Sequence, residues 1–337
     1  MPAEGLRVID FGSVSPLRSQ TLWHAVANGV SNDSPPTLSF CRPRSPYVCI
    51  GYHRRLDEVD TDWCDSRDLP VYRRMVGGGP VYLDSGQLFF QITVPMKAVP
   101  PSRPKALRML LEPAVEAFRA SGIDARLDDR LEITVGDRKV CGYGAGQIGD
   151  AAIVVGNLIE SFDHRAAASI LRIPTEAARA EFARLIQRYV VATPADASRF
   201  RTAAVSAYSR ALGRQGEPGE LVAHEKVKLA DLDRKFVDPA WVRGPSRPTP
   251  AAWQAKVKAG VWVFAASEGG TELTLGLDGT RVLSARVAAP ELNGQAPALA
   301  RSLVGRELGD LDEILQGAGR VGCRLSSLAD RAQPSRI

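Results

Sequence analysis

Three consecutive glycines, Gly77, Gly78 and Gly79, follow two arginines, Arg73 and Arg74, in the stretch RRMVGGGPVYLD. Backbone free of side chains lets an anionic group approach several main-chain N–H groups at once, and phosphate is the anion such a loop suits best. Glycines in that position serve equally well as a bend or bulge in a sheet. On a strand, Arg73 and Arg74 point to opposite faces, so one can turn towards a phosphate while the other braces the sheet. Further along, GDRKVCGYGAGQIGDAAIVVGN places Lys139 in strand-like sequence ahead of Gly142, Gly144 and Gly146. Neither the G-x-x-x-x-G-K-S/T of a nucleotide P-loop nor the G-x-G-x-x-G of a dinucleotide-binding turn is present.

The elements that must hold these residues read as mixed α and β. Ser15 followed by Pro16 marks a helix start, with Leu17, Leu22, Val26 and Val30 as an apolar stripe. Extended stretches TLSFCRP, PYVCIGY, GQLFFQITVP, LEITVGDRKVCGYG and AAIVVGNLI alternate with helices near 104–120, 164–172 and 175–190. The pattern predicts an α/β (α+β) chain: a large domain over 1–212 with a mixed sheet flanked by helices, a linker over 213–252 and a small α+β domain over 253–337. The linker rests on GRQGEPGE and GPSRPTP, rich in Gly, Pro and charge, around a modest helix in EKVKLADLDRKF. In the tail, Leu273, Leu275 and Leu277 alternate with polar residues before Asp278-Gly279, a type I′ hairpin signal. Helices near 296–303 and 310–315 follow.

With 45% apolar and 24% charged residues among 337, disorder is excluded. Five scattered cysteines without a C-x-x-C pair suggest neither a disulfide framework nor a zinc knuckle. The apolar runs are too short for a membrane span, and no secretion signal is visible, so a cytoplasmic setting is expected. The net charge of +5 is spread along the chain without interleaved aromatics, which argues against nucleic acid and suits an anionic substrate or acidic partner. The four histidines show no metal spacing and are assigned no role.

Residues 73–84 resemble the RR-x-x-GGG-x-V-x-H-D motif of lipoate-protein ligases, and DRKVCGYG resembles that family's RKxSGxA segment, in the same order along the chain. The tail, opening with KVKAGVWVFAASEGG, is similar in size and position to the family's accessory domain. Biotin ligases share the fold but carry GRGR-x-G, absent here. Leu83 stands where the family pattern has His, Pro80 where it has Ala and Cys141 where it has Ser. The combined motifs are most similar to a branch associated with lipoate-binding proteins of sulfur oxidation.

The resemblance implies an enzyme that activates lipoate with ATP as lipoyl-AMP and passes the lipoyl group to a lysine of a lipoyl-domain or lipoate-binding acceptor protein. Bringing the acid and the α-phosphate together costs about 4 kcal/mol at 4 Å for an effective dielectric of 20. Lys139 is the implied catalytic cation bridging them. Arg73, Arg74, Gly77, Gly78, Gly79, Pro80, Val81, Tyr82, Asp84, Gly142, Gly144 and Asn157 are the implied nucleotide- and substrate-binding residues, with Arg73 on a phosphate oxygen. Pro80 contributes no N–H. Mg²⁺ is expected to accompany ATP, with Asp84, Asp128 and Asp129 as helpers and no residue set forming a metal site of its own. Val76, Tyr82, Leu88 and Val155 are expected to line the acyl groove. A monomer, with neither membrane nor nucleic acid as partner, completes the expectation. The rival readings are an octanoyl or lipoyl transferase of the same fold that carries the acyl group on a cysteine, for which Cys141 near Lys139 is the residue to consider, and a non-catalytic lipoate-sensing protein.

Overall fold

The computed structural model describes residues 5–332, and their contacts divide into two compact units. The larger is formed by the chain up to Leu171 together with Val191–Ser246; the smaller, by Arg172–Val190 together with the chain from Arg247 onward.

In chain order, strand β1 (Leu6–Val14) leads into helix α1 (Pro16–Asn28), where the Ser15 hydroxyl accepts a hydrogen bond from the Arg18 amide and Pro16 occupies the first turn. Next come β2 (Thr37–Pro43), β3 (Tyr47–Ile50), the short helix α2 (Thr61–Asp65), β4 (Val71–Arg73), β5 (Val81–Leu83) and β6 (Gln87–Pro95). Helix α3 (Arg103–Ala120) contains Pro113. Then follow β7 (Arg126–Leu127), β8 (Ile133–Val135), β9 (Arg138–Lys139), β10 (Tyr143–Ile148), β11 (Ala151–Ile159) and α4 (His164–Ser169). Helix α5 (Glu176–Tyr189) precedes α6 (Ala197–Leu212), β12 (Gly216–Pro218), α7 (Ala223–Val237) and α8 (Pro239–Arg243).

The larger unit is built on a six-stranded mixed sheet in the order β10-β11-β6-β2-β1-β12. Its central strand β6 is buried along its whole length, so both faces are covered. One face carries Leu88, Phe90, Ile92 and Val94 into a core with Leu110, Leu111 and Phe118 of α3 and Phe200 and Tyr208 of α6. Gly156, opposite Phe90 in the ladder, leaves room for that ring: a Cβ there would sit 2.4 Å from it. By the alternation of strand side chains, Gln87, Phe89, Gln91 and Thr93 belong to the opposite face. Two three-stranded sheets, β4-β3-β5 and β7-β8-β9, carry the arginine–glycine stretch and Lys139 respectively.

The stretch read as a linker is folded. Leu229, Leu232 and Phe236 of α7 recur at helical spacing and bury against Leu22 and Ala25 of α1. The ion pair Arg18–Asp233 at 2.8 Å adds to that contact, and Arg7–Glu225 at 2.6 Å ties α7 to β1. Gly and Pro flank this helix on both sides, which is why composition alone suggested a connector.

The smaller unit holds the antiparallel sheet β13 (Trp253–Lys258), β14 (Val261–Glu268), β15 (Thr271–Asp278) and β16 (Arg281–Ala288), with helices α9 (Ala296–Leu303), α10 (Leu311–Gln316) and α11 (Gly319–Ala329). Helix α5, placed by the sequence reading with the larger domain, packs on β13, β14 and β15 of this sheet. Helix α11 was missed, although Val321, Leu325 and Leu328 supply its buried stripe. The β15–β16 turn also differs from expectation. Asp278 pairs with Arg281, so the loop is Gly279-Thr280, and only Gly279 has positive φ, at 60°. A type I′ turn needs positive φ at both central residues, whereas glycine in the first central position belongs to type II′. The sequence reading of a mixed α/β chain with a small C-terminal α+β part otherwise holds.

Candidate functional site

The glycine loop is shaped by Arg74. Its guanidinium donates to the carbonyls of Gly77 (3.0 and 2.9 Å), Gly79 (3.0 Å) and Cys49 (3.0 Å), drawing those oxygens to one side. Gly78 adopts φ of 104°, a conformation that favours glycine, and a Cβ there would lie 2.4 Å from the Arg74 guanidinium. Gly51 lets the loop settle, since a Cβ on it would meet the Gly78 carbonyl oxygen at 2.0 Å. Among the described residues, none of the amides of Gly77, Gly78 and Gly79 donates a hydrogen bond within the protein. A Cβ on Gly77 or Gly79 would meet nothing within 4 Å. Captured carbonyls, unused N–H groups and open space beside them are features that a main-chain anion site requires.

Arg73 corrects an expectation. Only 1% exposed, it donates from Nη1 to the carbonyls of Gly51, Tyr52 and Arg54, from Nε to Trp241 and Val242, and from Nη2 to Val242 and Arg243. The Trp241 indole returns a bond to the Arg73 carbonyl at 3.0 Å. With every donor nitrogen engaged by backbone, Arg73 braces the segment after β3 against α8 and does not extend a fork to a phosphate. Both arginines therefore hold backbone.

Lys139 lies on the β8–β9 hairpin, opposite Thr134 in the ladder. Glu132, two residues before Thr134, shares that face, and its Oε1 sits 2.9 Å from the Lys139 Nζ. The Glu132 side chain is 4% exposed and that of Lys139 16%. The turn is closed by Gly136, φ 60°, and the Asp128 carboxylate accepts from the Arg130 and Glu132 amides at 2.9 and 2.8 Å, fixing the approach to β8. Leu131, between those two acceptor contacts, has φ of 60°, a strained setting for a bulky residue. Sequence reasoning missed Glu132; the hairpin register, counted back from the Gly136-Asp137 turn, is the signal that finds it.

Beyond Lys139 the ladder breaks, and residues 140–142 belong to no strand. Asn157 on β11 bridges that break: its Oδ1 accepts from the Gly142 amide at 2.7 Å and its Nδ2 donates to Gln87 Oε1 at 2.7 Å. Gln87 in turn donates to Asp84 Oδ1 at 3.3 Å. Asp84, Asn157 and Gly142 thus form one polar chain between the end of β5 and the start of β10. Gly144 brings the two motifs together, since a Cβ on it would lie 3.7 Å from the Gly77 carbonyl oxygen and 3.3 Å from Val76. Pro80, Val81 and Tyr82 continue from the glycine loop into β5, Val81 exposed and Tyr82 half-buried, its hydroxyl pushed up to about 12 by burial and then by Asp84 and Asp163. The proposed acyl-groove residues do not form one lining: Val76 and Val155 pack with Trp23 and Ile153, while Leu88 belongs to the core on the other face.

His24 supports the loop from below. It is fully buried, its Nδ1 lies 2.6 Å from the Gln20 carbonyl, and its Nε2 accepts from the Met75 amide at 3.0 Å. This pattern fixes the Nδ1–H tautomer. Burial lowers its pKa from 6.5 to about 3, so it is neutral.

Cys141 is fully buried and its thiol is pushed up to about 12, chiefly by desolvation. Cys41, Cys49 and Cys64 are buried as well; only Cys323, in the smaller unit, is exposed. Among the described residues no group of three or more His, Cys, Asp or Glu is poised to hold a metal ion. Asp84 already accepts from the Gly86 amide and burial raises its pKa, while Asp128 serves the hairpin. A protein-held magnesium site does not fit these residues. No helix among those described is long and apolar enough to cross a membrane.

Residues 15–194 match the family model of the lipoyl protein ligase A/B catalytic domain. The octanoyltransferase LipM of Moorella thermoacetica is 25% identical over 279 residues, covering 72% of this chain and 99% of that protein. Lipoate-protein ligase A subunit 1 of Thermoplasma acidophilum is 25% identical over 225 residues, covering 62% of this chain and 85% of the relative. Among solved structures, the bipartite lipoate protein ligase of Thermoplasma acidophilum superposes with a TM-score of 0.66 at 23% identity, over 73% of this chain and 99% of that one. A lipoate-protein ligase A bound with ATP gives 0.62 at 21% identity, over 71% and 99%. These two likenesses establish the fold.

Proposed function

We propose that this chain, which belongs to the lipoyl protein ligase A/B catalytic-domain family, is an ATP-dependent lipoate–protein ligase. A carboxylate oxygen of lipoate attacks the α-phosphorus of ATP, the bond to pyrophosphate breaks, and lipoyl-AMP forms. The ε-amine of an acceptor lysine then attacks the acyl carbon, loses a proton and displaces AMP, leaving an amide. The amides of Gly77, Gly78 and Gly79 hold phosphate oxygens, and Lys139 sits between the acid's carboxylate and the α-phosphate, where negative charge is concentrated in the first transition state. Asn157 keeps the Gly142 turn, and so the strand end carrying Lys139, in register. Transfer to a presented lysine rests mainly on positioning. The ATP-bound ligase among the structural neighbours and the ligase named among the relatives support this assignment.

A second reading, acyl transfer through a cysteine thioester, is favoured by the relatives named octanoyltransferase LipM. The observation that carries the ligase reading over it is the burial of every cysteine of the larger unit, Cys141 included. A thiol that is fully buried and held protonated is a poor nucleophile. The test is pyrophosphate release measured with and without lipoate. Release that requires both lipoate and ATP, persists in Cys141→Ala and is lost in Lys139→Ala supports the ligase. ATP-independent transfer from an octanoyl carrier protein, abolished by Cys141→Ala, would establish the transferase instead.

A further inference from the structure

The geometry points to Glu132 as a positioning residue that occupies the Lys139 ammonium as an internal stand-in for the substrate carboxylate; this deepens the ligase reading and rests on Lys139 being the acid's partner. Three features carry it. The Glu132 carboxylate is buried and meets the Lys139 Nζ at 2.9 Å, as an incoming acid would. The hairpin is built to make that contact: the register places both side chains on one face, and Asp128 clamps the Glu132 amide. Leu131, immediately before Glu132, is held at φ of 60°, and strain of this kind persists only where the surroundings impose it.

Glu132 gives the largely enclosed Lys139 ammonium a counter-charge at 2.9 Å and so directs Nζ before substrate binds. When the acid arrives, its carboxylate competes with Glu132 for the same cation, and two like charges then crowd one site. Glu132 therefore opposes ground-state binding of the free acid. Once the acid has become an adenylate its carboxyl is no longer anionic, and the opposition is relieved. The arrangement weakens the hold on free acid relative to the adenylate, and so favours the activated intermediate in the bound state.

The test is calorimetric titration of octanoate and of lipoate into wild type, Glu132→Gln, Glu132→Ala and Lys139→Ala without ATP, followed by steady-state pyrophosphate release. Glu132→Gln removes the competing charge but keeps an acceptor oxygen, so acid affinity should rise about tenfold, the equivalent of about 1.4 kcal/mol. Its acid KM should fall by more than its kcat does. Glu132→Ala, which also loses the hydrogen bond that directs Nζ, should lower kcat by ten-fold or more, with Glu132→Gln restoring most of the loss. Lys139→Ala should abolish acid binding. Unchanged or weaker acid binding by Glu132→Gln, or equal loss of kcat in both Glu132 variants at unchanged KM, overturns the inference. Failure of the wild type to bind either acid overturns it too. Acid binding that responds as expected in an enzyme releasing no pyrophosphate would instead overturn the ligase reading and leave Glu132 in place.

Discussion

Replacing Arg73 by lysine separates a brace from a phosphate ligand. The guanidinium makes seven contacts to six carbonyl oxygens drawn from residues 51–54 and 241–243, all within the larger unit. A lysine ammonium has three N–H donors, so at least three of those carbonyls lose their donor. At about 1 kcal/mol net for each bond, the loss is about 3 kcal/mol. For a unit of this size that corresponds to a fall in melting temperature of about 6–12 °C. The assay pairs thermal unfolding with steady-state kinetics at a temperature where both proteins are folded. Arg73→Lys should melt lower while its KM for ATP moves less than threefold, well under the about tenfold shift expected from losing 1.4 kcal/mol of phosphate binding. An unchanged melting temperature together with a tenfold rise in ATP KM would refute the reasoning, since the side chain would then be spending its donors on nucleotide.

Gly77→Ala should fold normally, because its Cβ meets nothing, yet raise the ATP KM about tenfold by filling the proposed anion site; unchanged KM would mean that phosphate lies elsewhere. Gly78→Ala combines strain of about 1–3 kcal/mol at positive φ with a clash against Arg74, so both stability and activity should fall in denaturation and pyrophosphate assays. Asn157→Ala strips the Gly142 amide and Gln87 of their partner and should cost about 2 kcal/mol in urea unfolding, with kcat reduced more than KM. His24 is neutral when folded, with a pKa of about 3 against 6.5. The unfolded chain therefore binds the extra proton between those values, and stability falls as pH drops from 6.5 towards 3, by about 1.4 kcal/mol per unit. Denaturation at pH 7, 6 and 5 should show that slope in wild type and a shallower one in His24→Gln.

Much of this was legible in the chain. Ser15-Pro16 located α1, the glycine triplet marked a loop between β4 and β5, and the glycines after Lys139 mark where β10 runs beside Val76 and the Gly77 carbonyl. What a strand's alternation cannot reveal is which side chains face backbone carbonyls. Arg73 and Arg74 both do: Arg73 depends on residues about 20 and 170 positions away, and Arg74 on the loop it closes and on Cys49. Glu132 was hidden among ordinary acidic residues because its meaning comes from hairpin register rather than from a motif. Helix α7 was obscured by its flanks: its i, i+3, i+7 stripe of Leu229, Leu232 and Phe236 was present, but Pro- and Gly-rich neighbours suggested a connector. Burial of Cys141 was equally out of reach, since the thiol lies just past the last residue of β9, where alternation no longer assigns a face.

The central claim is that the acid is activated as a mixed anhydride with AMP. Lipoate labelled with ¹⁸O in both carboxylate oxygens tests it directly, because the oxygen that attacks phosphorus stays with AMP when the acceptor lysine takes the acyl group. Mass spectrometry of the products should find AMP carrying one ¹⁸O for each lipoyl lysine formed, and neither product with Lys139→Ala. Lipoylated acceptor formed alongside unlabelled AMP, or with no AMP at all, would contradict the account.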